Sequence, residues 1–242
     1  MMPVTQIARA GWVLLCGLNV VISAKAQQSA PSPSESTPAA SVSTTAPVMR
    51  SAYGEKLTLQ GLPNGGRVNN FLYRGAQPHD EGLLELKKMG ITTIVDLRGE
   101  DPQKREWERQ RSEALGMHFV NIPISGWDPP SNEQIAQFLS IFRNVQLGSQ
   151  QERVFVHCRF GDDRTGVFVA AYRMAYDHWP TLQAMNEMYF FGFNGMWHPS
   201  MKSFVRDFPA RLKTSPILSG FNMDATVIPK SPQASTPTPA DH

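Results

Sequence analysis

The sequence predicts an α/β domain whose sheet is largely parallel and covered by helices on both faces. Residues 91–97 (ITTIVDL) are β-branched and apolar, as a strand buried on both faces should be. Just before them, residues 80–89 carry Leu83, Leu84, Leu86 and Met89 at helical spacing. A short apolar strand at residues 154–156 (VFV) runs towards an apolar helix at 165–176. Strands that alternate with helices in this way belong to parallel sheets, whose crossovers need a helix.

The other elements follow in order. Residues 72–74 (LYR) form a short strand, followed by Gly75 and Pro78. Gly90 closes the helix over 80–89. Residues 106–115 read as a charged, exposed helix ended by Gly116, and 118–122 as a further strand. Residues 132–145 again show helical spacing, through Ile135, Phe138, Leu139 and Phe142. A last helix covers 181–190. These elements define one domain over residues 51–213, with no internal repeat. The chain of 242 residues is long enough for one sizeable core.

The flanks differ in composition. Residues 1–26 read as a secretory signal: Arg9 is the positive start, 11–24 are apolar, and Ala24-Lys25-Ala26 is a small-x-small cleavage site. Residues 27–50 are rich in Ser, Pro, Thr and Ala and read as a disordered linker, and 214–242 as a low-complexity tail. The expected location is therefore periplasmic or extracellular, with no stable membrane insertion once the signal is removed. The net charge of +2 comes from Arg9 and Lys25 alone; without them the charges balance, so no nucleic-acid partner is expected. The sequence has two cysteines, and cleavage after Ala26 removes Cys16. Cys158 is then the single thiol and has no partner for an internal disulfide.

Cys158 opens the chemically informative segment, residues 154–170 (VFVHCRFGDDRTGVFVA). An apolar strand runs into Cys158, a loop follows (Arg159, Phe160, Gly161, Asp162, Asp163), and Arg164 and Thr165 lead into an apolar helix. Five residues between cysteine and arginine let the backbone curl so that its amides converge on one point. With the positive end of the following helix, they make an anion site. Gly161 permits the backbone angles of the curl. The same field favours the thiolate, and with it nucleophilic attack. Arg164 offers a rigid fork that holds two phosphate oxygens, and Thr165 can hydrogen-bond the sulfur as it leaves.

The string HCRFGDDRTG resembles the signature loop of the cysteine-dependent protein tyrosine phosphatases, His-Cys-x5-Arg-[Ser/Thr]. LYRGAQP, ITTIVDLR and NIPISGWDPPSNEQI are similar to further segments of the compact dual-specificity branch, bacterial members in particular, so the likeness spans residues 68–210. It implies a mostly parallel sheet of four or five strands flanked by helices, and a phosphocysteine intermediate that water resolves. The substrate it implies is a phosphorylated protein or a small phosphomonoester.

Such an enzyme needs a group to protonate the leaving oxygen. The family uses an aspartate on a loop upstream of the cysteine. Here Asp128, in Ser125-Gly126-Trp127-Asp128-Pro129-Pro130, is that loop's carboxylate. Aligning the Pro-Pro pair with relatives of the phosphatase-and-tensin type places Gly126 at the usual aspartate position. Asp163, just before Arg164, is the second candidate, with a structural role as partner of Arg164 or of a neighbouring amide as its alternative. Arg159, Phe160, Gly161, Asp162, Asp163 and Arg164 form the expected phosphate-binding loop. His157 is expected to orient the loop, Trp127 and Phe160 to line the entrance or pack, and His198 to be a surface or core histidine.

Neither an HExxH nor a CxxC motif is present, and no acidic cluster has ligand spacing, so no metal or other cofactor is expected. Three other functions compete. An inositol phosphate or phosphoinositide substrate fits the Asp-Arg pair but is disfavoured by the charge of Asp162 and Asp163. A rhodanese-like sulfurtransferase would use a shorter loop, and a non-catalytic phosphate-binding module would not need both Cys158 and Arg164. The sequence gives no reading of oligomeric state.

Overall fold

The computed structural model describes residues 53–143 and 152–221. The expected signal (1–26), the linker (27–50) and most of the expected tail lie outside the described residues. The strands are β1 (Glu55–Lys56), β2 (Gly66–Arg67), β3 (Leu72–Ala76), β4 (Thr93–Arg98), β5 (His118–Ile124) and β6 (Val154–Cys158). The helices are α1 (Asp80–Lys88), α2 (Pro102–Ala114), α3 (Asn132–Ile141), α4 (Asp163–Ala175), α5 (Thr181–Phe190) and α6 (Pro199–Thr214).

The strands form one sheet in the order β1-β2-β3-β6-β4-β5. Strands β3, β6, β4 and β5 are parallel, and β1 and β2 add a short antiparallel edge. The parallel core therefore matches the expected fold class, and two-residue strands too short to leave a periodic signal extend the sheet to six. Every residue of β3, β4 and β6 is buried, the apolar ones together with Arg74, Asp96, Arg98 and His157. The larger core cluster packs α3, α4, α5 and α6 with Leu72, Val95 and Val156. A smaller one gathers Leu83 and Leu86 of α1 with Tyr73, Ile94 and Phe155.

Local chemistry sets the helix ends. Asp101 accepts the Lys104 N–H and Pro102 opens α2. Ser131 and Gln134 form a reciprocal capping box on α3. Because β6 lies between β3 and β4, its carboxyl end opens at the point where the chain changes direction across the sheet. Open α/β sheets bind their ligands at that point.

Three expectations are corrected. The expected exposed helix begins earlier, at Pro102, and buries Glu108 and Ser112 completely. Glu108 is drawn inside by Arg98 and His157, which periodicity does not register. Residues 199–214, not expected as an element, form α6, which buries Met201, Phe204, Val205, Phe208 and Leu212. Pro209 lies within that helix, and the apolar stripe offsets the lost backbone bond. The tail does not begin at 214: Leu218 and Phe221 are buried, and the Phe221 ring meets Tyr176 edge-on at 6.4 Å.

Candidate active site

Cys158 ends β6, with its Cα in register with that of Ala76 on β3. It is buried, a free thiol, and lines a cavity of about 440 Å³. Glu100, Gly126, Trp127, Asp163, Arg164 and His198 are also in its wall. The Gly161 N–H donates to Sγ at 3.2 Å. Arg164, in the first turn of α4, lines the same cavity as the sulfur and feels its field.

The loop is held by its carbonyls. The Gln77 N–H donates to Arg159 O (3.4 Å), Asn64 Nδ2 to Phe160 O (3.2 Å) and Arg74 Nη2 to Gly161 O (2.7 Å). With three successive carbonyls tied to the surrounding frame, the amides are free to face the anion site. Gly161 adopts φ +76°, and a Cβ there would overlap the backbone of Gly75 and Ala76. The curl therefore needs glycine for both its angle and its approach to β3.

Arg74 is fully buried, its guanidinium 4.1 Å from the centre of the Phe191 ring. Burial pulls its pKa down to about 10, against the opposing fields of Glu187 and Cys158. It remains a cation near neutrality and adds to the positive field around the sulfur.

Glu100 clamps the arginine. Arg164 Nη1 donates to Glu100 Oε2 at 2.7 Å and Nη2 to Oε1 at 2.8 Å. These bonds hold the Glu100 carboxyl down at about 2. Burial opposes the charge on Arg164, but the bonds to Glu100 and the field of Cys158 outweigh it and raise its pKa. The fork meets Glu100 along one edge and keeps its remaining N–H donors for a substrate oxygen.

Behind the loop lies a buried charge network. Arg98 bonds both oxygens of Asp96 and Glu108 Oε2, at 2.6–2.9 Å. His157 Nε2 lies 2.7 Å from Glu108 Oε1, as a charge pair rather than a well-aligned hydrogen bond. Burial alone would discharge His157, but the Glu108 carboxylate outweighs it and raises the imidazole pKa. Nδ1 of His157 contacts the Cys158 carbonyl at 3.2 Å, consistent with the orienting role expected for it. Asp96, Glu108 and His157 bring ligand atoms within 4.8 Å of one another, but the Arg98 guanidinium already occupies both carboxylates.

The remaining candidates divide. Arg159 and Phe160 stand at the rim, with the Arg159 guanidinium 5.2 Å from the exposed Phe160 ring. Asp162 caps α4, its side chain accepting the Asp163 N–H, so it shapes the loop from within. Asp163 accepts the Asn194 N–H at 2.9 Å through Oδ1, and its Oδ2 lies 3.2 Å from His198 Nε2. Burial pushes its carboxyl up, against the lowering pull of the Asn194 N–H and of His198. Thr165, in the first turn of α4, is buried, and among the described residues its Oγ1 has no hydrogen-bond partner. Asp128 is exposed and outside the cavity wall, where Gly126 and Trp127 stand.

Glu100, Arg74, Glu108 and His198 were not singled out as site residues by sequence. Arg74 lies within the recognised LYRGAQP and Glu100 two residues beyond ITTIVDLR, but their contacts span 87 and 64 residues. Separations of that length leave no local pattern.

Comparison with known proteins agrees with this geometry. The chain is 29% identical over 127 residues to the dual specificity protein phosphatase TpbA of Pseudomonas aeruginosa, covering 52% of this chain and 54% of TpbA. The chain thus spans about half the length of that relative. The crystal structure of a cysteine-to-serine variant of TpbA with phosphotyrosine superposes with a TM-score of 0.53 at 21% identity, over 72% of this chain and 96% of the crystallised chain. The catalytic core of the PP-IP phosphatase SIW14 from S. cerevisiae, in complex with citrate, does so at 0.53 and 16% identity, over 68% and 97%. These neighbours show the shared fold of the cysteine-dependent phosphatases. The profile described as DSP-PTPase phosphatase fused to NAD+ kinase matches residues 46–203, and the chain belongs to that family.

Proposed function

We propose that the protein is an exported phosphatase that hydrolyses phosphotyrosine or related phosphomonoesters through a phosphocysteine intermediate. The observation that carries this reading is the Cys158 sulfur, bonded by the Gly161 N–H, in one cavity wall with an Arg164 clamped by Glu100. Sγ attacks phosphorus in line with the leaving oxygen and forms the S–P bond as the P–O bond breaks. The loop amides and Arg164 hold the equatorial oxygens as charge spreads over them. Water then attacks phosphorus, the S–P bond breaks, and phosphate leaves.

The carboxylates of Glu100, Asp162 and Asp163 in the cavity wall favour a singly phosphorylated aryl or alkyl ester over a densely anionic one. TpbA has been crystallised with phosphotyrosine, which supports the same choice. Steady-state hydrolysis of phosphotyrosyl peptides, p-nitrophenyl phosphate and inositol hexakisphosphate tests it, with Cys158→Ser as control. Turnover of the first two that Cys158→Ser abolishes is expected. A preference for inositol hexakisphosphate would move the reading to inositol phosphates, and Cys158-independent turnover would end it. Export rests on residues 1–26 and is checked by N-terminal sequencing of the mature protein, which should begin at Gln27.

A further inference from the structure

We infer that a second cavity, beside the one that holds the nucleophile, takes an apolar side chain flanking the phosphorylated residue of a peptide substrate; this rests on the phosphatase reading above. The second cavity has a volume of about 600 Å³, against about 440 Å³ around Cys158. Both are of a size that binds ligands. Arg159 and Phe160 stand in the walls of both, so the rim of the phosphate site is the partition between them.

The spacing fits a polypeptide. Ala76 lines the second cavity and is the Cα partner of Cys158 on the neighbouring strand. Adjacent strands lie about 4.8 Å apart, and an extended chain advances about 3.3–3.6 Å per residue. A side chain one or two positions from the phosphorylated residue therefore reaches the second cavity while the phosphate sits over Cys158. A small phosphomonoester fills only the first.

The walls select an apolar occupant. Pro63, Ala76, Pro78, Trp107 and Phe160 are among them, and the Trp107 and Phe160 rings are exposed. Exposed aromatic rings around a concavity are anchors for a binding partner. The charges beside them are already engaged. Asp80 is bonded by Arg111 at 2.5 and 3.1 Å, Lys104 lies 3.2 Å from Asp101, and the Arg159 guanidinium stands 5.2 Å from the centre of the Phe160 ring. What is left for a ligand is the apolar surface. Backbone bonds fix the floor in advance: the Ala76 N–H donates to Pro63 O at 2.9 Å and the His79 N–H to Gly61 O at 2.8 Å. A preformed wall spares the ordering cost of binding.

The test compares the full chain with Trp107→Ala and Trp107→Phe on two sets of phosphotyrosyl peptides, and on p-nitrophenyl phosphate. The sets differ only in carrying leucine or glycine at the positions next to and next but one to phosphotyrosine. The wild type should favour the leucine peptides about tenfold in kcat/KM, the low end for an apolar group in a pocket. Trp107→Ala should remove that preference through KM, with kcat on the peptides and both constants on p-nitrophenyl phosphate within about twofold of wild type. Trp107→Phe, which keeps an aromatic wall, should retain most of the preference. Equal hydrolysis of leucine and glycine peptides by the wild type overturns the inference, and so does a preference that survives in Trp107→Ala. A kcat loss shared by every substrate would make Trp107 a structural support of α2, which also overturns it. If the wild type shows no Cys158-dependent turnover of p-nitrophenyl phosphate, the phosphatase reading fails, and this inference with it. If it turns over p-nitrophenyl phosphate but does not discriminate between the peptides, only the inference fails.

Discussion

The two terminal nitrogens of Arg164 donate to the two oxygens of Glu100 at 2.7 and 2.8 Å, so the phosphate clamp is itself clamped. Glu100→Gln leaves one oxygen to accept from the guanidinium and turns an amide N–H towards the other nitrogen, a loss of about 1–2 kcal/mol. It should lower kcat/KM for p-nitrophenyl phosphate about tenfold, with the loss in kcat as Arg164 loses its orientation. A rise in kcat/KM would show instead that Glu100 competes with substrate for the guanidinium. The bonds depress the Glu100 pKa from 4.5 to about 2, so their contribution to stability is present above pH 4.5 and lost as pH falls towards 2. Melting followed by circular dichroism should show that acid dependence weakened in Glu100→Gln.

Gly161 has φ +76° and no room for a Cβ against Gly75 and Ala76. Gly161→Ala carries a left-handed backbone cost of about 1–2 kcal/mol before any overlap is relieved. It should abolish turnover and lower the melting temperature, because relief of the overlap must move the amide that donates to Sγ. Near-normal activity would show that the loop has more slack than its tied carbonyls suggest.

Glu108 is the shared counter-charge of Arg98 and His157, all three buried. Removing one partner from a buried pair costs about 3–5 kcal/mol, so Glu108→Ala should melt well below the wild type by calorimetry. His157 titrates above its ordinary 6.5 in the folded chain, so the stability it contributes is complete below that pH. That part is lost as pH rises through the folded value, and the loss should be absent in His157→Gln.

Leu218 and Phe221 lie beyond the last long helix and are buried. Leu218→Ala should destabilise by about 2–5 kcal/mol in denaturant unfolding, as for other core leucines. An effect under about 0.5 kcal/mol would return these residues to the tail, since surface substitutions have effects of that size.

The parallel core, the helices α1, α3, α4 and α5, and the nucleophile loop were legible because each rests on neighbours in the chain. Hydrophobic periodicity is a local property, and Cys158, Gly161 and Arg164 fall within seven residues. Helix α6 was missed because Pro199 and Pro209 interrupt its signal, although its apolar spacing is intact. The exposed face expected of α2 was wrong because a carboxylate buried by two distant cations reads as a solvated one.

By itself, then, the sequence determined the sulfur, its cradle and its arginine, since a turn of backbone between a strand and a helix needs only consecutive residues. The tertiary structure decided what surrounds them. Glu100 on the clamp, Arg74 on the Gly161 carbonyl and His198 on Asp163 arrive from separate loops and strands. Their meeting depends on the order β3-β6-β4 and on the packing of α6 beside α4, which are long-range choices no short segment records.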